Sequence, residues 1–146
     1  MIFIYTDGAS RGNPGKSASG YRIIDDKGTL LFSHSFYNGI RTNNEAEYLA
    51  VIAALERAEK ELGSRISVLL RSDSQIVVMQ MKGLYKTKKK ELLELREKAA
   101  TAASKFSSFS IENVPREDTE ITKVDKSLNR LLDLQSSHEK GVIPPA

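Results

Sequence analysis

Four acidic residues stand where they could act together. Asp7 closes the apolar run Ile2-Phe3-Ile4-Tyr5-Thr6, and Asp73 follows a second run, Ile66 to Leu70, after Arg71-Ser72. Glu47 lies about one turn into a helical pattern, and Asp125 falls in the first turn of a later one. If the two apolar runs are parallel neighbouring strands, Asp7 and Asp73 emerge at one edge, about 5 Å apart sideways. Glu47 and Asp125 can then approach from helices that cover the sheet. Carboxylates gathered at one point repel each other unless protons or cations intervene. The usual cation for an all-oxygen site is Mg²⁺ or Mn²⁺. Each acid alone has a plainer account. Asp125 suits a helix N-terminus for dipole reasons, and Asp73 could cap the helix that follows it. Glu47, like Glu45, fits an exposed helix position. Only their joint placement favours a site.

The elements that must position these acids follow from the pattern. Ile2 to Tyr5 reads as a strand ending at Thr6-Asp7, and Gly8 to Gly15 as a glycine-rich loop that lets backbone approach a phosphate. Gly20 to Asp25 and Thr29 to Tyr37 read as two more strands joined by Asp26-Lys27-Gly28, giving an antiparallel meander. In the third strand Leu31, Ser33, Ser35 and Tyr37 share one face; Leu30, Phe32, His34 and Phe36 share the other. His34 is therefore read as a structural or surface histidine. After Thr42-Asn43-Asn44, the residues Ala46, Leu49, Ala50, Ala53, Ala54 and Ala58 recur at helical spacing, and Gly63 marks the stop. The run from Ile66 to Leu70 suits a strand covered on both faces. Ser74 to Met81 reads as a short helix with Ile76, Val77 and Met79 inward, broken by Gly83. Leu84 to Lys105 reads as mostly helix, burying Leu92, Leu93, Leu95, Ala99, Ala102 and Ala103. Phe106 to Val114 reads as a fifth strand. Thr122 and Asp125 form a capping-box pair for a last helix running to about Glu139, with Gly141 as its stop and Pro144-Pro145 in a short tail. The expected fold is α/β: a five-stranded mixed sheet, three antiparallel strands and then parallel ones, flanked by helices.

Composition narrows the class. The chain has 146 residues, 40% hydrophobic and 28% charged, as expected of one globular domain spanning residues 1–146. With no cysteine, disulfides and thiolate metal sites are excluded. No apolar run approaches the roughly 18 residues of a membrane span, and no secretion signal opens the chain, so a cytoplasmic protein is the default. A net charge of +3 permits a nucleic-acid partner without demanding one.

Five stretches carry a family resemblance. They are Tyr5-Thr6-Asp7-Gly8, Gly12-Asn13-Pro14-Gly15, Thr42-Asn43-Asn44-Glu45-Ala46-Glu47-Tyr48, Ser72-Asp73-Ser74-Gln75 and Val124-Asp125-Lys126-Ser127-Leu128. In this order, across nearly the whole chain, they resemble the type 1 ribonucleases H, in a compact form like archaeal-type members. The resemblance implies cleavage of the RNA strand of an RNA–DNA hybrid, leaving 5′-phosphate and 3′-hydroxyl ends. It implies that Asp7, Glu47, Asp73 and Asp125 hold two Mg²⁺ or Mn²⁺ ions that clamp an in-line phosphoryl displacement. Glu47 rather than Glu45 matches the family acid, which stands five residues after the threonine of Thr-Asn-Asn. It also implies hybrid contacts from Asn13, Asn43, Asn44 and Gln75, and a phosphate of the DNA strand held at Thr42. Selectivity for RNA must come from the 2′-hydroxyl, which glycine backbone near Gly8 and small polar side chains can reach in a shallow minor groove.

The chain departs from the family in three ways. The loop Pro115 to Glu120 has no histidine where many members carry one; His138 comes too late to match, and Glu117 reads as a surface acid. The stretch from Pro115 to Asp125 is longer than in members with a Pro-Arg-Glu loop. No tryptophan-bearing basic protrusion follows the second helix, although Lys82, Lys86, Lys88, Lys89 and Lys90 cluster there. Lys88 and Lys89 are candidates for phosphate contacts, against the alternative of a solvated face. Two other readings stay open: the same chemistry on double-stranded RNA or RNA–DNA junctions, and a non-catalytic nucleic-acid-binding domain. A monomer is expected.

Overall fold

The structure, a computed structural model, describes residues 1–139. The expected stop at Gly141 and the proline tail lie outside the described residues. The elements run β1 (Ile2–Gly12), β2 (Gly15–Ile24), β3 (Leu30–Arg41), α1 (Asn43–Leu62), β4 (Ser67–Ser72), α2 (Gln75–Met81), α3 (Lys90–Ala103), β5 (Ser108–Asn113) and α4 (Thr119–Glu139). The sheet order is β3-β2-β1-β4-β5. The first three strands are antiparallel neighbours, and β1, β4 and β5 run parallel. This is the expected mixed sheet.

Period-2 alternation divides the strands between two layers. Ile4, Ile23, Val68 and Leu70 pack with Val51, Leu55 and Ala58 of α1, and α3 lies against α1 through Leu92, Leu95 and Ala99. On the other face Tyr5 and Ile24 meet Ile121, and Ala18 meets Val124, Leu128 and Leu132 of α4. Each aliphatic side chain fully buried this way contributes about 1.5–3 kcal/mol relative to exposure. Among the described residues no helix is long and apolar enough to cross a membrane.

The strands outrun their apolar cores. β1 does not end at Asp7 but continues to Gly12, paired with β2 from Phe3↔Ile24 to Gly12↔Gly15. The expected glycine-rich loop is thus two strand ends and a tight turn at Asn13-Pro14. Hydrophobic alternation marks only the covered part of a strand; the ladder carries polar residues such as Ser10 and Lys16 beyond it. Gly8 serves packing as well. A Cβ there would lie 2.4 Å from the Ala46 carbonyl carbon and 2.5 Å from the Glu47 nitrogen, so its lack of a side chain lets α1 settle on β1.

Three helix expectations shift. In α2 the buried residues are Val77, Val78 and Gln80, while Ile76 is exposed. Gln80 is tolerated inside because its Oε1 accepts a 2.7 Å hydrogen bond from the buried Tyr48 hydroxyl. α3 begins at Lys90, not Leu84. Gly83 takes φ +78°, and the amides of Leu84 and Tyr85 fold back to donate to the Met79 carbonyl. Lys86, Lys88 and Lys89 therefore lie on an irregular connection. α4 begins at Thr119, capped by Asp118, whose Oδ1 accepts from the amides of Glu120 (3.0 Å) and Ile121 (3.2 Å). Thr122 is already inside the helix and donates its hydroxyl to the Asp118 carbonyl. Asp125 consequently sits nearly two turns in, rather than in the first turn.

Candidate active site

The last parallel rung, Thr6↔Ser72, leaves Asp7 and Asp73 side by side at the rim of β1 and β4. α1 brings the third acid. Thr42 caps that helix: its Oγ1 accepts from the Glu45 amide at 3.2 Å, and the Glu45 carboxylate accepts from the Thr42 amide at 2.9 Å. This fixes the start of α1, turning Glu45 outward beside Arg41 and Glu47 inward over the sheet. Glu47 accepts a hydrogen bond from the Gly8 amide, which also donates to Asp7 Oδ1 at 3.0 Å. One carboxylate oxygen from each of Asp7, Glu47 and Asp73 lies within 4.8 Å of the others. That is a set of hard, anionic oxygen donors fit for divalent ions of the Mg²⁺ or Mn²⁺ kind.

The electrostatics follow. Asp7 and Glu47 are buried and Asp73 half-buried. Burial, then the neighbouring Asp73 charge, pushes the Asp7 carboxyl up to about 8. Burial and Asp7 push Glu47 well above the usual carboxylate range. Asp73 is raised as well, chiefly by burial, while a hydrogen bond with Asp7 and then the Arg116 guanidinium partly offset the rise. Unless a cation is present, the cluster must hold protons.

Asp125 is outside this tight group but bears on it. α4 runs along β1 so that Ile121 meets Tyr5 and Arg11 reaches Asn129 and Asp133. One turn after Ile121 the same helix face lies over the next position of that strand face, Asp7. The Asp125 charge acts on both Asp7 and Asp73. Its carboxylate accepts a 3.3 Å hydrogen bond from Asn129.

The other expected contact residues divide. Gly8, Asn43 and Asn44 line the acidic cleft with Ser74 and Arg116. Asn13 is at the hairpin tip, where its Oδ1 accepts from the Asn43 amide at 3.1 Å; Asn43 Oδ1 accepts in turn from the Ser10 amide at 2.9 Å. These bonds join the hairpin to the start of α1. Thr42 spends its hydroxyl as the helix cap. Gln75 is exposed in the first turn of α2, and Lys88 and Lys89 are exposed on the connection before α3, away from the cleft. Arg116 and Ser74 also line the cleft, though the sequence motifs do not mark them as contacts. For Arg116 the signal is a cation in the Pro115–Glu120 loop that precedes Asp125. Glu117, weighed there instead, is exposed and does not line the cleft.

Comparison with known proteins agrees with this architecture. The family model described as "Reverse transcriptase-like" matches residues 5–123. Ribonuclease HI of Halobacterium salinarum is 39% identical over 132 residues, covering 90% of this chain and 64% of that protein. A bifunctional protein of Mycobacterium tuberculosis is 36% identical over 146 residues, covering 99% of this chain and 39% of its own length. The chain thus spans less than two thirds of either curated relative. Among solved structures, RNase H1 from Halobacterium salinarum superposes with a TM-score of 0.84 at 37% identity, covering 90% of this chain and 97% of that one. LC11-RNase H1 in complex with an RNA/DNA hybrid gives a TM-score of 0.86 at 38% identity, covering 94% and 100%. Such likeness over nearly the full length of those solved chains is more than a shared fold, and we conclude that this chain belongs to the ribonuclease H type 1 family.

Proposed function

We propose that the chain is an endonuclease that hydrolyses the RNA strand of RNA–DNA hybrids, leaving 5′-phosphate and 3′-hydroxyl ends. The observation that carries this reading is the convergence of Asp7, Glu47 and Asp73 within 4.8 Å at the rim of two parallel strands. The hybrid bound to LC11-RNase H1, a protein of the same fold, supports the substrate class. Asp7, Glu47 and Asp73 would hold two Mg²⁺ or Mn²⁺ ions, with Asp125 closing the set from α4. Bound there, the ions supply Lewis-acid chemistry: a lowered pKa for the attacking water and neutralisation of the leaving 3′-oxygen.

The remaining work falls to the chain itself. The Gly8 amide holds Glu47 and Asp7 toward each other. Asn43 and Asn44 at the cleft, with Asn13 and Gln75 flanking it, offer amide groups to the minor groove and its 2′-hydroxyls. Thr42 lies where a phosphate of the DNA strand would meet the start of α1, and the α1 dipole favours that charge. Lys88 and Lys89 add phosphate affinity without reading sequence. We take the protein to act as a cytoplasmic monomer.

The test is a cleavage panel: labelled hybrid, RNA duplex, single-stranded RNA and DNA duplex, each with Mg²⁺, Mn²⁺ or chelator, with product ends mapped. Cutting of only the RNA strand, only with metal, supports the assignment. Cutting in chelator, or no cutting of hybrid, overturns it.

A further inference from the structure

The β2–β3 pairing is interrupted at one point. Ser17 pairs with Gly39 and Ala18 with Tyr37, which leaves Asn38 as an extra, unpaired residue of β3. A bulge of this kind re-aims a side chain. Here the Asn38 amide turns across the sheet and its Nδ2 donates a 2.7 Å hydrogen bond to Ser19 Oγ. Ser19 is fully buried on the α1 side, directly opposite Gly8 in the ladder. Its hydroxyl donates a 2.6 Å bond to the Ala46 carbonyl, in the first turns of α1. The next residue is Glu47.

We propose that Asn38 and Ser19 are positioning residues for Glu47, a relay that fixes how deep α1 sits on the sheet at the acidic cluster. This rests on the proposed metal-dependent cleavage. Two contacts locate this turn of the helix. Gly8 lets the Ala46–Glu47 backbone come close and binds the Glu47 carboxylate through its amide. Ser19, in the neighbouring strand, grips the preceding carbonyl, and Asn38 orients the hydroxyl by occupying one of its two lone pairs. The hydroxyl's one proton is committed to Ala46, so the relay has a single direction. Without it, the Ala46 carbonyl keeps only its helical role, and the helix start is free to shift by the tenths of an ångström that metal ligation cannot absorb.

Ser17 is the internal control. It is equally buried, on the same strand and face, but its hydroxyl donates to the Gly39 carbonyl at 3.3 Å and makes no bond to α1. The variants Ser19→Ala, Asn38→Ala, Ser19→Thr and Ser17→Ala are compared with the parent. The readouts are melting temperature in chelator, the rise produced by added Mg²⁺, and kcat and KM on hybrid. Ser19→Ala and Asn38→Ala should lower kcat about tenfold and shrink the Mg²⁺-induced rise, with KM little changed. Ser19→Thr, which keeps the hydroxyl, should restore both, and Ser17→Ala should leave both at the parent value. If Ser19→Ala does not fold, the half-buried Asn38→Ala carries the test. The proposal is overturned if Asn38→Ala folds with parental kcat and Mg²⁺ response, or if Ser17→Ala matches Ser19→Ala in both. A parent that cuts no hybrid would instead refute the enzyme assignment.

Discussion

Replacing Asp7 by Asn should make the metal-free protein more stable as pH rises, relative to the parent. Asp7 is only 6% exposed, and burial followed by the Asp73 charge raises its carboxyl to about 8 from an ordinary 3.8. A carboxyl whose folded pKa lies above its unfolded one keeps a proton that the unfolded chain releases. The folded state therefore has its full stability from this group below the unfolded value, and loses it progressively as pH climbs to the folded one. Each retained proton costs about 1.4 kcal/mol per pH unit. Between about pH 5 and pH 7 the loss is about 3 kcal/mol, an upper bound because Glu47 and Asp73 titrate with Asp7. At an unfolding entropy of about 0.3 kcal/mol/K for a chain of this length, that is about 10 °C. Asparagine carries no such proton. Melting curves of both proteins in chelator at about pH 5, 6 and 7 should diverge, the variant gaining on the parent by several degrees. Exposed acids act alike in both proteins and cancel in the difference. Parallel curves would refute the electrostatic account of the cluster. In millimolar Mg²⁺ the order should reverse or the gap close, because the parent alone keeps the full ligand set.

Glu47→Gln should reduce cleavage by at least about a hundredfold, since it removes a proposed metal ligand, whereas Glu45→Gln should keep nearly full activity because a glutamine can still accept from the Thr42 amide; equal losses would break the assignment. Lys88→Ala with Lys89→Ala should weaken hybrid binding and make the slope of log affinity against log salt shallower by up to about one unit per lost contact, without changing which nucleic acid is cut. An unchanged slope would return these lysines to a solvated face. Asp125→Asn should raise the melting temperature in chelator and shrink the Mg²⁺ effect if Asp125 belongs to the cluster. A merely structural Asp125 would give no gain in chelator and leave the Mg²⁺ effect intact.

The sheet was legible because β1 and β4 carry the short apolar runs Ile2 to Tyr5 and Ile66 to Leu70, and α1 because Thr42 and Gly63 punctuate it. The errors fall where backbone bonding outweighs side-chain pattern. β1 to β3 extend as polar ladders past their cores. α2 hides Gln80 because Tyr48 satisfies it. Asp118, not Thr122, caps α4, since an Asp side chain reaching two amides outcompetes a threonine four residues on. Asp73 was readable as the residue that follows β4 and Asp7 as the end of the apolar part of β1, whose parallel pairing brings the two together. The Asn38 bulge was not, because an extra residue in one strand leaves no mark in the composition of either.

The corrected start of α4 changes how Asp125 relates to the rest. An acid in the first turn would have been explained by the helix dipole alone. Nearly two turns in, that explanation lapses. The position is set instead by Ile121 packing on Tyr5, which carries the next turn of the same helix face over Asp7. An acid there adds its field at Asp7 and Asp73, two carboxyls that burial already raises. Structure alone gives no reason to add negative charge at that point. A bound cation would, because each further carboxylate that repels its neighbours would attract such an ion. The same reasoning sets Arg116 apart, since it is the cation facing Asp73 and would compete with such an ion.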